Sequence, residues 1–492
     1  MTSHSSTFHL LIDGALRNSA NGSVYPNHNP ATGEVLGTAP NATPDDFDAA
    51  ISAARRAFDT TDWSRDVGFR VHCLRQLQQA LQDHSEQLAD IIVAEVGATR
   101  SACATAQVDP PIEGIGYFAD LAENYQWHTP LGHRNTVAGL ADRWIERQPI
   151  GVVAAITPWN VPNQINLAKI IPALAAGCTT ILKAAPATPW TALWLAEMIA
   201  EHTDLPPGVV NILTSEDPRI GELLTTDPRM DMISFTGSTA VGRRIMEMAS
   251  RHLTKVFLEL GGKSVSLVLD DVEDFSLAAA VAAFGTATVA GQGCALTTRI
   301  LLPQSRYDEG VDAIAAMMAA VTPDNPGTNP DAMMGPLINA TQRDRVDHYV
   351  TQAVADGARL VCGGTRFHHP EFPHGTYYEM TLLADVHNAM AIAQEEVFGP
   401  VLVAIPYDTD DDAVAIANDS IYGLSGAVFS GDETRAIAVG RRIRTGTMSI
   451  NGAVWYSPDV PFGGYKQSGI GREMGRAGFE EHLELTSFAR PI

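Results

Sequence analysis

At 492 residues the chain exceeds one small module, and at roughly 100 to 200 residues per domain it asks for two to four folding units. Hydrophobic residues make up 45% and charged ones 18%, which argues against disorder, and 33 basic against 57 acidic side chains leave a formal charge of -24, which argues against a surface that tracks nucleic-acid phosphates. Five scattered cysteines, Cys73, Cys103, Cys178, Cys294 and Cys362, argue against a disulfide framework or a zinc module and suit a reducing, cytoplasmic setting.

At the N-terminus, Met1 to Ala15 holds only the short apolar run Phe8 to Ile12 with no basic lead, and no stretch of about 18 apolar residues follows, so neither an export signal nor a membrane span is expected. Residues 41–107 read as helices, with Ala50, Ile51, Ala54 and Phe58 at helical spacing and Leu74, Leu77 and Leu81 continuing in the next. The segment 142–147 alternates polar and apolar residues, as does the tail 483–488, and both read as exposed strands that invite a partner.

From Ile150 onward, short β-branched runs alternate with longer helical patterns, the signature of an α/β fold whose parallel sheet is covered on both faces. A strand at 150–156 leads through the loop Pro158 to Pro162 into a helix at 163–176, closed by Gly177. Further strands are expected at 179–183, 209–213, 232–235, 255–259 and 264–269, with helices at 190–202 and 239–250, all in one doubly wound sheet. A second α/β series starts with a helix from Leu277 through Ala290, then a strand at 298–302 and helices at 307–321 and 340–357.

Four motifs sit at predicted element ends. Phe235-Thr236-Gly237-Ser238 runs from a strand through a glycine turn into a helix, where free N–H groups and the Ser238 hydroxyl would meet a pyrophosphate; taken alone it is equally an ordinary turn. Gly291-Gln292-Gly293-Cys294 sets one cysteine among small neighbours, although a lone cysteine is more often buried and inert. Glu259 ends an apolar strand just before Gly261 and Gly262, at the edge where doubly wound sheets open a crevice. The prolines of Thr157-Pro158-Trp159-Asn160-Val161-Pro162 would stiffen a loop and aim the Asn160 amide, which suits an oxyanion donor.

Two lookalikes fail: Gly469 to Gly475 has no apolar strand before it, and Gly262-Lys263-Ser264 has Phe257 where a P-loop needs glycine. His368, His369, His374 and Glu371 lack helical ligand spacing, so no metal is expected.

Together these motifs resemble the aldehyde dehydrogenase superfamily of the hydrolytic, NAD(P)-dependent type, with likeness running from Asn29-Pro30-Ala31-Thr32-Gly33 to Pro461-Phe462-Gly463-Gly464-Tyr465-Lys466. The resemblance implies Cys294 as nucleophile, Glu259 as general base, Asn160 with the Cys294 backbone N–H as oxyanion donors, and Lys169 as a further active-site lysine. It implies coenzyme contacts from Ile156, Thr157, Pro158, Trp159 and Leu260, a ribose contact from Lys183, a pyrophosphate turn at Gly237 and Ser238, and a nicotinamide-ribose clamp of Glu396 and Phe398. Relatives that pass the acyl group to coenzyme A lack this glutamate, so Glu259 points to hydrolysis.

Where the family often reads Lys-Pro-Ser-Glu, this chain reads Lys183-Ala184-Ala185-Pro186, without the carboxylate that repels a 2'-phosphate; NAD is expected, with NADP as the alternative. Val161, Gln164 and Ala168 replace bulky apolar residues of the substrate funnel, while Tyr456 and Phe462 match its aromatic walls. The expected architecture is α/β: a Rossmann-like coenzyme domain over 1–130 and 148–260, a second α/β catalytic domain over 261–466, and a small β oligomerisation arm and C-terminal tail from 131–147 and 467–492. A homodimer or homotetramer acting on a small aldehyde, with no nucleic-acid or membrane partner, is expected. A thiol esterase without redox chemistry and a catalytically silent relative remain alternatives.

Overall fold

The computed structural model describes residues 8–453 and 456–492; the start of the stretch read for an export signal, residues 1–7, lies outside them. The larger sheet has eight strands in the order Gly469–Ile470, Lys255–Glu259, Met232–Thr236, Val152–Ile156, Thr179–Ala184, Val210–Thr214, Leu10–Ile12 and Ala15–Arg17. The five from Lys255–Glu259 to Val210–Thr214 are parallel, and the strands added at both ends are antiparallel. Val152–Ile156 is buried throughout, as a strand covered on both faces must be.

The helix Pro162–Ala176 starts with proline at its first turn, is buried at every residue and stops at Gly177, whose φ of 101° is the left-handed cap that glycine tolerates. It is apolar all round because it lies between the sheet and the helices Val67–Asp83 and Asp109–Glu123.

A second sheet of seven strands runs Arg359–Cys362, Thr381–Ala384, Val401–Tyr407, Arg299–Pro303, Val265–Val268, Gly426–Phe429 and Ser449–Ile450. This corrects one expectation: the strand read at 264–269 belongs here, not to the first sheet. A short apolar run looks the same in either sheet, and the turn at Gly261 and Gly262 carries the chain across.

The helix expected through Ala290 ends earlier, spanning Ser276–Ala287. Beyond it Val289 and Ala290 take left-handed backbone, φ 47° and 51°, which a helix cannot continue through.

The alternating segments form a third, antiparallel sheet, ordered Leu483–Pro491, Gly139–Pro149, His128–Thr136. The two segments read as exposed strands are strands and pair with each other, with Trp144 stacked on Phe488 at 5.1 Å, and Leu483–Pro491 stays mostly exposed. The hairpin Val24–His28 and Val35–Pro40 and the short strands before it carry too little pattern to be read from sequence.

In the larger sheet Phe235 is paired with Ile156 and Thr236 with Glu259. The proline loop, the Gly237 turn and Glu259 therefore leave the sheet at one edge, where open α/β sheets bind ligands.

Candidate active site

Cys294 is half-buried on the loop that follows the left-handed pair Val289 and Ala290. A β-branched residue at positive φ is strained and persists only where its surroundings over-determine it. Gln292, fully buried, supplies that hold: its Nε2 donates to the Val289 carbonyl at 2.9 Å and its Oε1 accepts from Ile338 N at 2.9 Å. Gly262 allows the close approach of the next segment, for a Cβ there would stand 2.3 Å from the Cys294 carbonyl oxygen. Burial and the neighbouring Glu259 carboxylate push the Cys294 thiol well up, so in this state it rests as the thiol.

Glu259, at the end of its strand, is 2% exposed, and its Oε1 has no hydrogen-bond partner among the described residues. Burial raises it to about 8, opposed by the nearby Cys294 thiol. A carboxyl poised there is suited to proton transfer near neutral pH. Glu396 arrives from the second sheet's side, and its Oε1 accepts from Gly262 N at 2.9 Å. Burial raises it to about 7.

Asn160 is buried, and its Nδ2 donates to the Gln292 carbonyl at 2.9 Å, which sets the amide against the cysteine loop. The amide has a second N–H, which with the Cys294 backbone N–H is a candidate donor pair for a developing oxyanion. Lys169, in the helix Pro162–Ala176 that follows the loop, is fully buried; its Nζ lies 3.0 Å from Glu473 Oε1, 3.3 Å from Ser234 Oγ and over the Phe257 ring.

The coenzyme candidates line the same edge. A Cβ on Gly237 would stand 2.5 Å from the Phe235 ring, so only glycine fits the turn. The Ser238 hydroxyl, expected to approach a pyrophosphate itself, caps the helix Thr239–Ala249 by accepting from Val241 N, and the other first-turn N–H groups face outward for an anion. Lys183 Nζ donates to the Ala184 carbonyl at 3.3 Å, and burial lowers it to about 8. Trp159 and Phe398, the latter at φ 61°, meet edge to face at 5.4 Å, joining the proline loop to the Glu396 segment. A side-chain-free turn, a helix N-terminus, a lysine and a buried carboxyl along one sheet edge have the chemistry that suits a dinucleotide.

Gln164 and Ala168 lie on the helix Pro162–Ala176 and Val161 is its N-cap; Gln164 Nε2 donates to the Tyr456 hydroxyl. Tyr456 packs edge to face on Phe462 at 5.4 Å, and Phe462 N donates to the Glu473 carbonyl at 2.6 Å. The structure thus brings all four catalytic candidates and the substrate-wall candidates into one region.

Sequence reasoning missed Gln292 and Glu473. Gln292 stood between two glycines of a motif already singled out; Glu473 lay in the glycine stretch set aside as a lookalike. Among the described residues no group of three or more His, Cys, Asp or Glu is placed to hold a metal. His369 instead pairs with Asp324 at 2.9 Å and packs on Phe372 and Tyr377. No helix among the described residues is long and apolar enough to cross a membrane.

The aldehyde dehydrogenase family profile matches residues 17–488. The chain is 40% identical over 465 residues to a 3-succinoylsemialdehyde-pyridine dehydrogenase of Pseudomonas sp, covering 93% of each chain. It is also 40% identical over 456 residues to a geranial dehydrogenase of Castellaniella defragrans, covering 91% of each. Among solved structures, a Mycobacterium tuberculosis aldehyde dehydrogenase complexed with NAD+ superposes with a TM-score of 0.92 at 42% identity, over 99% of this chain and 98% of that one.

Proposed function

The chain belongs to the aldehyde dehydrogenase family, whose reaction is NAD(P)-dependent oxidation of an aldehyde to a carboxylic acid, and from that premise we propose that Cys294 is its nucleophile, Glu259 its general base and Asn160 its oxyanion donor. The observation that carries this assignment is the buried Glu259 carboxyl, one oxygen without a partner among the described residues, close to Cys294 on the loop whose Gln292 carbonyl holds the Asn160 amide.

The Cys294 proton passes to Glu259 as the sulfur adds to the aldehyde carbon, and the oxygen takes up negative charge. The Asn160 amide and the Cys294 N–H stabilise that charge, a contribution of about 3 to 4 kcal/mol per donor. Bound NAD(P) supplies the hydride acceptor. The acyl group is then held on Cys294 as a thioester. Glu259, freed of its proton, takes one from water, whose oxygen attacks the acyl carbon and expels the sulfur, releasing the acid. Aldehyde, NAD(P)+ and water thus give acid, NAD(P)H and a proton. Lys169 holds Glu473 behind this centre.

Ile156, Thr157, Pro158, Trp159, Lys183, Gly237, Ser238, Leu260, Glu396 and Phe398 form the coenzyme site, with NAD preferred and NADP accepted because Pro186 offers no repelling carboxylate. Val161, Gln164, Ala168, Tyr456 and Phe462 form the substrate wall, which suits a mid-sized aldehyde. Residues 1–130 and 148–260 act as the coenzyme domain and 261–466 as the catalytic domain. The strands at 131–147 and 467–492 form the arm of a homodimer or homotetramer, supported by the free outer edge of Leu483–Pro491. Five unpaired cysteines support a cytoplasmic location.

The test is reduced-coenzyme formation with aliphatic, aromatic and polar aldehydes, each with NAD and NADP, beside Cys294→Ala. Turnover lost in the variant with coenzyme binding intact is the expected result; turnover unchanged would remove Cys294 from the mechanism.

A further inference from the structure

One polar side chain stands in an otherwise apolar part of the substrate wall. On the helix Pro162–Ala176, Gln164, Leu167, Ala168 and Ile171 occupy one i, i+3, i+4, i+7 face and line a cavity against Gly114 and Phe118 of the helix Asp109–Glu123; Gln164 is the one polar side chain among the lining residues. It is 6% exposed, and its Oε1 is buried with no partner among the described residues. Its neighbour Asn163 turns elsewhere, donating from Nδ2 to the Gln107 carbonyl at 2.7 Å.

A buried amide oxygen with no donor destabilises the fold, and a leucine in the same place would carry no such penalty. Packing therefore does not account for Gln164. What the position gains lies on the other side of the amide, where Nε2 donates to the Tyr456 hydroxyl. That contact uses one of the two N–H groups of the amide and a lone pair of the phenol, so a second N–H and the phenolic O–H remain beside each other with no acceptor among the described residues. Burial, followed by the charges of Glu473, Cys294 and Glu259, pushes the Tyr456 hydroxyl well up, so it stays protonated and a donor. Phe462 packs on its ring edge to face at 5.4 Å.

The charge around this pair decides what it can receive. Glu473 and Glu259 oppose an anionic group, and the Lys169 ammonium gives no relief because Glu473 already takes it up at 3.0 Å. Two adjacent donors in turn disfavour a cation. We propose that Gln164 and Tyr456 form a polar reading point in the substrate wall, which selects aldehydes that carry an uncharged hydrogen-bond acceptor, a hydroxyl or carbonyl oxygen, on the part of the molecule away from the aldehyde carbon. This rests on the reading of these residues as substrate wall. The acceptor takes up the spare N–H and O–H, whereas an alkyl group in its place strips water from both donors and leaves them unpaired.

The experiment compares kcat/KM, with NAD saturating, for aldehydes matched in size: para-hydroxymethylbenzaldehyde against para-ethylbenzaldehyde, and hexanal bearing a terminal hydroxyl against heptanal, in wild type, Gln164→Leu and Tyr456→Phe. Para-carboxybenzaldehyde and para-trimethylammoniobenzaldehyde supply the charged arms. Wild type should favour each hydroxylated member about tenfold or more. Gln164→Leu should reverse the preference and Tyr456→Phe should cut it to about threefold, with KM for NAD unchanged in both. Equal values within the pairs in wild type, or a preference that survives Gln164→Leu, would overturn the proposal, as would a charged aldehyde that outruns both hydroxylated ones. A fall of both members of a pair alike in both variants would mark a packing role and overturn it too. No turnover of any of these aldehydes, in protein that still binds NADH, would remove the substrate-wall reading itself and the proposal with it.

Discussion

The Lys169 ammonium and the Glu473 carboxylate lie 3.0 Å apart with side-chain exposures of 0% and 7%, although 304 residues separate them in the chain. Breaking a buried pair from one side strands the other charge, so Lys169→Met should cost about 3–5 kcal/mol. Lys169→Met with Glu473→Met should recover most of that loss. Denaturant midpoints of the two variants, compared with wild type, decide it; a double variant no better than the single would show that the pair is not the cause.

Glu259 should make the rate depend on pH in a defined direction. As a base it works ionised, and with burial holding it at about 8, kcat should rise with pH through that value and fall below it. Glu259→Gln should remove this limb and slow steady turnover by about 10²–10⁴-fold. Stability runs the other way: the unfolded carboxyl ionises near 4.5 and the folded one near 8, so the folded state binds more protons between those values and wild type loses stability as pH rises through them. Glu259→Gln should flatten that decline, which thermal melts between pH 5 and 9 would record.

The strand and loop chemistry at 150–162, the terminal glutamate at 259 and the cysteine among glycines were legible because each is a local pattern with a local physical cause. Glu473 was not, because its meaning comes from Lys169 on a distant helix, and no pattern near it announces a buried charge. Val289 and Ala290 read as helix because their propensities are ordinary; it is Gln292 and the packing of Gly291 against Gly399 that hold them left-handed. The strand at 264–269 was visible as a strand and misplaced as a neighbour, since a buried apolar run carries no label for its sheet.

Gly262→Ala should damage the site without touching a reacting group. The new methyl would meet the Cys294 carbonyl oxygen at 2.3 Å, and backbone cannot move aside as a flexible side chain does. A loss of about 1–3 kcal/mol from overpacking is expected, together with slower alkylation of Cys294 by iodoacetamide and lower kcat. Normal kcat in this variant would contradict the tight junction described.

Lys183 should make coenzyme choice depend on pH. Burial lowers its ammonium to about 8, so it carries charge below that value and loses it above. The 2'-phosphate of NADP gains more from that charge than the ribose hydroxyl of NAD. The ratio of KM for NADP to KM for NAD should therefore climb several-fold between pH 7 and 9, and Lys183→Gln should give a flat ratio.

Residues 483–492 should govern assembly. Leu483–Pro491 pairs on one side with Gly139–Pro149, and among the described residues its other edge is unpaired. A chain ending at His482 should elute from light-scattering chromatography at lower mass than the full chain; identical masses would place the subunit contact elsewhere.

The late arrival of Glu473 also bears on synthesis. A ribosome that has made the first 450 residues has already delivered Cys294, Glu259 and Asn160, but Lys169 still lacks its counter-charge and Phe462 has not appeared. The strand Gly139–Pro149 likewise waits for Leu483–Pro491 to cover one side. Such a nascent or prematurely terminated chain is left with an unneutralised cation in its interior, which keeps it from settling and exposes it to proteolysis.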